Sequence, residues 1–255
     1  MNLKGKEDTQ FYKEFRKLAV EQYLVSTYGK SLKLSKVDKE LAFCYGKWFN
    51  YFFWVTEYLP KIIRLRNEGY NSPIIFPESW EKISYVSSAL SLMGENNLFV
   101  VKNGVHLKVR NLVVPSSRPY SNVFYKENVD LVRANFIKES TDSTKNRRVY
   151  ATRKTALRRS LINESELIVL LEKNNYEVVD FSELSFSEQI NLMKNSESLI
   201  SVNGVGLANM IWKPSGSAVI ELNYKIENTD PRISYWRLSR ACDHRYYIIF
   251  GGWSK

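Results

Sequence analysis

Asn203-Gly204-Val205-Gly206 stands between a short apolar run, Leu199–Val202, and a stretch of helix-forming character, Leu207–Trp212. A glycine turn between a strand and a helix lets the backbone come close to a ligand. The helix N-terminus adds unpaired N–H groups and the positive end of a dipole. That combination suits phosphate. Pro214–Ser217 end the helix, and a second strand, Ala218–Leu222, finishes on Glu221. In open α/β sheets ligands lie beyond the carboxyl ends of strands, so Asn203, Gly204, Val205, Gly206 and Glu221 are expected around one cleft. There Glu221 can accept hydrogen bonds from ribose hydroxyls, or serve only as a surface or capping carboxylate. The spacing is not the dinucleotide fingerprint GxGxxG, because Asn209 occupies the third glycine position. Asn209 can instead brace the loop.

Two further groups carry chemistry. Between Lys145 and Arg159 there are seven basic residues and no acidic one. Most of them read as a solvated face. Arg153 and Arg159 follow a strand and precede a helix of capping-box form, so they can turn into the glycine-turn cleft. Arginine's planar fork matches two oxygens of a pyrophosphate. In the first half, Glu57 lies among Val55, Tyr58 and Leu59. A carboxylate with apolar neighbours suits a general base that takes a proton from a hydroxyl. Its structural alternative is an ion pair with Lys61, one helical turn on.

The elements that must position these residues alternate along the chain. Residues 1–40 are charged and read as helical, with an amphipathic stretch at Phe11–Tyr28. Leu41–Tyr45 reads as a strand, Trp48–Arg66 as a helix kinked near Pro60, and Pro73–Phe76 as a strand. Ser79–Leu92 reads as a helix, Leu98–Val101 and Leu107–Val114 as strands, and Asn128–Ser140 as a helix. The composition turns polar and basic near 145, which sets a boundary between residues 1–145 and 146–255. The second half gives strands at Arg148–Thr152, Tyr176–Phe181 and Tyr246–Phe250, besides the two around the glycine turn. Capping boxes at Asn163–Glu166 and Ser185–Glu188 open its helices. Strands alternating with helices of this length predict a parallel, doubly wound, Rossmann-like sheet.

Composition bounds the partners. The chain has 255 residues, 44% of them apolar, and a net charge of +10. No apolar run approaches the length needed to span a bilayer, and the polar start, MNLKGKEDTQ, has no signal-peptide core. Two cysteines, Cys44 and Cys242, show no metal spacing and suit a reducing compartment. A cytoplasmic location is therefore expected. The basic balance is compatible with peripheral attachment to an anionic membrane face. No nucleic-acid motif accompanies the basic run, so nucleic acid is not an expected partner.

The string NGVGLANMIWKPSGSAVIEL resembles the HGAGLTN…PPGS.VIEL signature of glycosyltransferase family 61. TRKTALRRSLINE is similar to the family's SR…RR.LNE segment, and NYFFWVTEYLP to its NYYHWLTEVLP. The resemblance covers about residues 41–65 and 145–225. It implies a GT-B-like arrangement of two Rossmann-like lobes with mainly parallel sheets, the first lobe reduced and on the acceptor side. It also implies an inverting glycosyltransferase, with a nucleotide sugar held by Arg153, Arg159, Asn203–Gly206, Asn209 and Glu221. Glu57 would be the base and no metal or other cofactor would be needed. The acceptor would be a glycan or a lipid-linked sugar in surface polysaccharide assembly. Both motif histidines are replaced, by Asn203 and Phe53, and Ala208 stands for the threonine. Asparagine can donate a hydrogen bond but neither carries charge nor shuttles a proton. A non-catalytic relative that binds a nucleotide sugar, a glycan or a protein partner is the alternative these departures favour.

Overall fold

The computed structural model describes residues 33–46, 48–115, 123–137, 146–153, 161–224 and 233–251. The amphipathic stretch Phe11–Tyr28 and Arg159 lie outside them. Two mainly parallel sheets organise the chain. The first has the order β3-β2-β1-β4, with β1 Lys33–Ala42, β2 Ile74–Pro77, β3 Leu98–Val101 and β4 Val105–Val113. The second has the order β6-β5-β7-β8-β9, with β5 Arg147–Ala151, β6 Tyr176–Val179, β7 Ser196–Val202, β8 Ala218–Tyr224 and β9 Arg245–Gly251.

The first sheet corrects the helical reading over residues 33–40, the described part of residues 1–40. Residues 33–40 belong to β1, which pairs with β4 from Lys33↔Val105 to Ala42↔Val113. This charged segment takes strand form because Val37 and Leu41 pair with Val109 and Leu112 across the sheet. Pairing across the sheet outweighs a local composition that suits a helix.

The helix expected over Trp48–Arg66 starts later and has three parts: α1 (Tyr51–Phe53), a π turn (Trp54–Tyr58) and α2 (Leu59–Asn67). Asn50 caps it, its side chain accepting from the Phe53 N–H. Pro60 lies in the first turn of α2, where its missing N–H costs little. The expected kink is thus a π turn, a form found disproportionately at functional sites. The helix expected at Ser79–Leu92 is a 3-10 turn, Glu78–Trp80, followed by α3, Ser84–Met93. The next helix, α4, spans Lys126–Phe136.

In the second half α5 (Glu164–Lys173) and α6 (Phe186–Lys194) follow β5 and β6. Ser185 and Glu188 make the predicted capping box. Asn163 does not: its side chain caps nothing, and the Glu164 carboxylate instead accepts from Tyr150 and Thr152 on and after β5. The segment after the glycine turn winds as a 3-10 helix, Val205–Trp212, rather than an α-helix. Helix α7, Ser234–Ala241, carries no signal that the periodicity reading caught.

One continuous core joins the halves, running from Trp54, Tyr58 and Leu59 to Phe186, Met210, Trp212 and Val219. Phe136 packs edge-on against Phe186 and Trp212, at centroid distances of 5.4 and 5.7 Å. The two sheets are therefore neighbours through packed side chains.

Candidate functional site

The second sheet has its topological switch between β5 and β7: the chain leaves β5 toward β6 on one side and leaves β7 toward β8 on the other. A crevice opens beyond the carboxyl ends of two such strands, and ligands of doubly wound sheets bind there. Arg153 lies two residues past the end of β5, and Asn203 one residue past β7. The two meet. Arg153 Nη1 donates to the Asn203 carbonyl at 3.1 Å. A Cβ on Gly204 would lie 1.7 Å from that same nitrogen, so the guanidinium occupies the space of a side chain. Gly204 has an extended backbone, φ 169°, and its need for glycine is this contact rather than its conformation.

Val205 and Gly206 begin the 3-10 helix, whose first N–H groups have no partner inside it. Val205 is exposed at the tip, and Gly206 packs its Cα side against the Phe181 ring. Six consecutive residues, Leu207–Trp212, are buried. A 3-10 run of this length is unusual and needs support from its surroundings.

Asn203 and Glu221 come together, though not as a strand-end pair facing ribose. Glu221 is the fourth residue of β8 and 1% exposed. It accepts from Asn203 Nδ2, from Tyr246 Oη on β9, and from Asn223 Nδ2 at 2.8 Å. Burial, then the neighbouring Glu221 carboxylate, push the Tyr246 phenol far above its ordinary range. Glu221 therefore braces the Asn203 turn from inside the sheet.

Asn209 is 1% exposed and braces the helix. Its Oδ1 accepts from Tyr51 Oη at 2.6 Å, and its Nδ2 donates to Gln189 Oε1 at 3.0 Å. Trp212 Nε1 donates to the same Tyr51 oxygen at 3.0 Å. From α4, Arg133 donates to the carbonyls of Ile211 and Lys213, both at 2.7 Å, and closes the helix's carboxyl end. His244 adds a bond from Nε2 to the Met210 carbonyl at 2.9 Å. Tyr51, Arg133, Gln189, His244 and Tyr246 were not singled out from the sequence. Of these, Tyr51 lies in the segment NYFFWVTEYLP, together with Phe53 and Glu57.

Glu57 sits in the π turn and pairs with Lys61 at 2.9 Å. Its side chain is 40% exposed, so the apolar enclosure expected for it is only partial. Phe53, one turn earlier, is half-buried and packs edge-on against Phe52 at 5.3 Å. Thr56 and Pro60, flanking Glu57, line a small recess with Phe124, Tyr125, Asn128 and Ile211.

A protein-family model described as "Glycosyltransferase 61" matches residues 51–220, from Tyr51 through the glycine turn to β8. The chain belongs to glycosyltransferase family 61. It is similar to "EGF domain-specific O-linked N-acetylglucosamine transferase" of Drosophila melanogaster, at 35% identity over 100 residues. It is also similar to the protein of the same description from Gallus gallus, at 33% identity over 97 residues. These matches take in 38% and 36% of this chain, and 18% of each relative's length. Within the family pattern, the side chains at positions 53 and 203 are the aromatic and amide groups just described, not imidazoles.

Proposed function

We propose that this chain is an inverting glycosyltransferase that moves a sugar from a nucleoside-diphosphate donor to a hydroxyl acceptor. The observation that carries this reading is the Arg153–Asn203–Gly204 contact at the β5/β7 switch, in a chain of family 61. Arg153 and the first N–H groups of the 3-10 helix supply positive charge to the diphosphate at one point. Glu57 takes the proton of the acceptor hydroxyl as its oxygen attacks the anomeric carbon. The bond from that carbon to the diphosphate oxygen breaks, and the nucleoside diphosphate leaves with the electron pair. Charge developing on it is met by Arg153 and backbone N–H, with no metal ion required.

The names of the two relatives make an N-acetylglucosamine donor the first to test and a protein acceptor the first comparison. Against it stands a glycan or lipid-linked acceptor of surface polysaccharide assembly at the cytoplasmic membrane face. The net charge of +10 supports that choice, since a basic surface is drawn to anionic lipid.

A thermal-shift panel of nucleotides and nucleotide sugars, run on the protein and on Arg153→Ala, tests the site. One diphosphate series raises the unfolding midpoint of the protein and not of the variant. Glu57→Gln then keeps nucleotide binding and loses transfer. A panel with no shift in the unmodified protein removes the transferase reading. The second reading, a non-catalytic binding protein, rests on Phe53 and Asn203 and on the Glu57–Lys61 pair. Nucleotide binding without transfer to any acceptor, in the unmodified protein, decides for it.

A further inference from the structure

The 3-10 helix that carries the glycine turn is held by side chains from both halves of the chain, Tyr51 and Arg133 from the first and Gln189 and His244 from the second. At its middle, the Tyr51 hydroxyl accepts from Trp212 Nε1 and donates to Asn209 Oδ1, while the remaining Asn209 amide group is tied to Gln189. Tyr51 and Asn209 are both buried, so none of these atoms has solvent as a substitute. At its carboxyl end, Arg133 spans two carbonyls with one guanidinium. A buried polar chain with every member paired fixes one geometry, and a missing member leaves its neighbours without partners.

We propose that Tyr51 and Arg133 are positioning residues for the diphosphate-binding turn, setting its place from the acceptor-side half. This rests on the donor-site reading above and deepens it. Neither residue touches the nucleotide. Each acts through the 3-10 helix, Tyr51 by way of Asn209 and Trp212, Arg133 by way of the last carbonyls. The turn at Asn203–Gly206 is the free end of an object clamped at its centre and far end. A slip of the helix moves its N–H groups away from the Arg153 guanidinium, and the two cease to converge on one diphosphate.

The experiment measures binding of UDP and of GDP to the full chain by calorimetry, at a temperature well below unfolding. The variants are Tyr51→Phe, which deletes one hydroxyl, and Arg133→Lys, which keeps the charge but loses the fork. Val86→Ala, in the buried face of α3 and with no hydrogen bond to the helix to lose, is the control for lost stability. Tyr51→Phe is expected to weaken the diphosphate that binds by about fivefold or more, the lower end of typical coupling between sites. Arg133→Lys follows in the same direction, and it carries the test alone if Tyr51→Phe does not fold. Val86→Ala leaves affinity unchanged while lowering the unfolding midpoint. Unaltered affinity in the folded Tyr51 and Arg133 variants overturns the proposal, as does an equal loss in Val86→Ala. Failure of both diphosphates to bind the unmodified protein strikes the donor-site reading itself, and this proposal falls with it.

Discussion

Gly204→Ala isolates the contact on which the proposed donor site depends. The added methyl would stand 1.7 Å from Arg153 Nη1 and 2.9 Å from Cζ, where ordinary contact begins at 3.4 Å. The guanidinium must therefore retreat by about 1.7 Å or swing away (3.4 Å less 1.7 Å). The backbone itself tolerates alanine, because φ 169° is extended. Folding loses little, since the tip of a half-buried arginine can move. Diphosphate binding loses more. A hydrogen bond to a charged group contributes roughly 1.5–3 kcal/mol, so a displaced fork weakens affinity by about tenfold to a hundredfold. The assay is calorimetric titration with UDP, beside denaturant unfolding to show an intact fold. In an Arg153→Ala background the same Gly204→Ala change has nothing to displace, and affinity stays where Arg153→Ala left it. A double-mutant cycle thus reads the contact directly. Full affinity in Gly204→Ala, or an equal further loss in both backgrounds, refutes the reasoning.

Lys213 is 1% exposed, its Nζ donating to the Ser196 carbonyl and Oγ at 2.9 and 3.1 Å, and burial pulls its pKa from 10.5 to about 7. The unfolded chain then binds more protons than the folded one above about pH 7. Stability accordingly rises with pH from 7 toward 10, at up to about 1.4 kcal/mol per unit, and Lys213→Met flattens that slope in guanidinium unfolding at pH 7, 8 and 9. Burial likewise lowers His244 to about 4, and its buried Nδ1 has no hydrogen-bond partner among the described residues. Stability is lost as pH falls from about 6.5 toward 4, by roughly 3 kcal/mol in all, and His244→Asn removes that acid limb; an unchanged limb means other groups cause it. Ser185→Ala costs about 1 kcal/mol through its capping box, whereas Asn163→Ala, which caps nothing, is neutral in the same unfolding assay.

The parallel second sheet was legible because each of its strands is a short apolar run punctuated by glycine, proline or a capping residue. Leu199–Val202 before Asn203-Gly204 is the clearest of them. Local pattern failed where a partner decides the outcome. Residues 33–40 are a strand on account of β4, and the box expected at Asn163–Glu166 does not form, while its second residue, Glu164, accepts from Tyr150 and Thr152. At the site, Arg153 and Asn203 were legible as neighbours because strand ends and turns are written in sequence. Glu221 was legible as a partner of the turn but not as a buried one. Its depth depends on Tyr246 arriving on β9, 25 residues later. Arg133 carried no mark at all: its carbonyl partners lie 78 and 80 residues away, and an arginine on an amphipathic helix reads as solvated.

The two replaced histidines bear on how charge is divided across the cleft. Asn203 holds its turn by giving Nδ2 to Glu221 and its carbonyl to Arg153, a pair of bonds that carries no titrating proton. At position 53 an aromatic ring fills space against Phe52. On the proposed reading, positive charge for a diphosphate comes from Arg153 and from the fixed dipole of the 3-10 helix. Under the proposed reaction the acceptor's proton falls to Glu57, in the π turn directly after Phe53. On that reading leaving-group charge and acceptor proton are handled by opposite halves of the chain. Their separation, on that reading, is set where α1 and α4 meet the 3-10 helix, at the Tyr51 hydroxyl and the Arg133 guanidinium. The buried Tyr51 oxygen, shared between Asn209 and Trp212, and Arg133 at the helix's carboxyl end both cross from one half to the other.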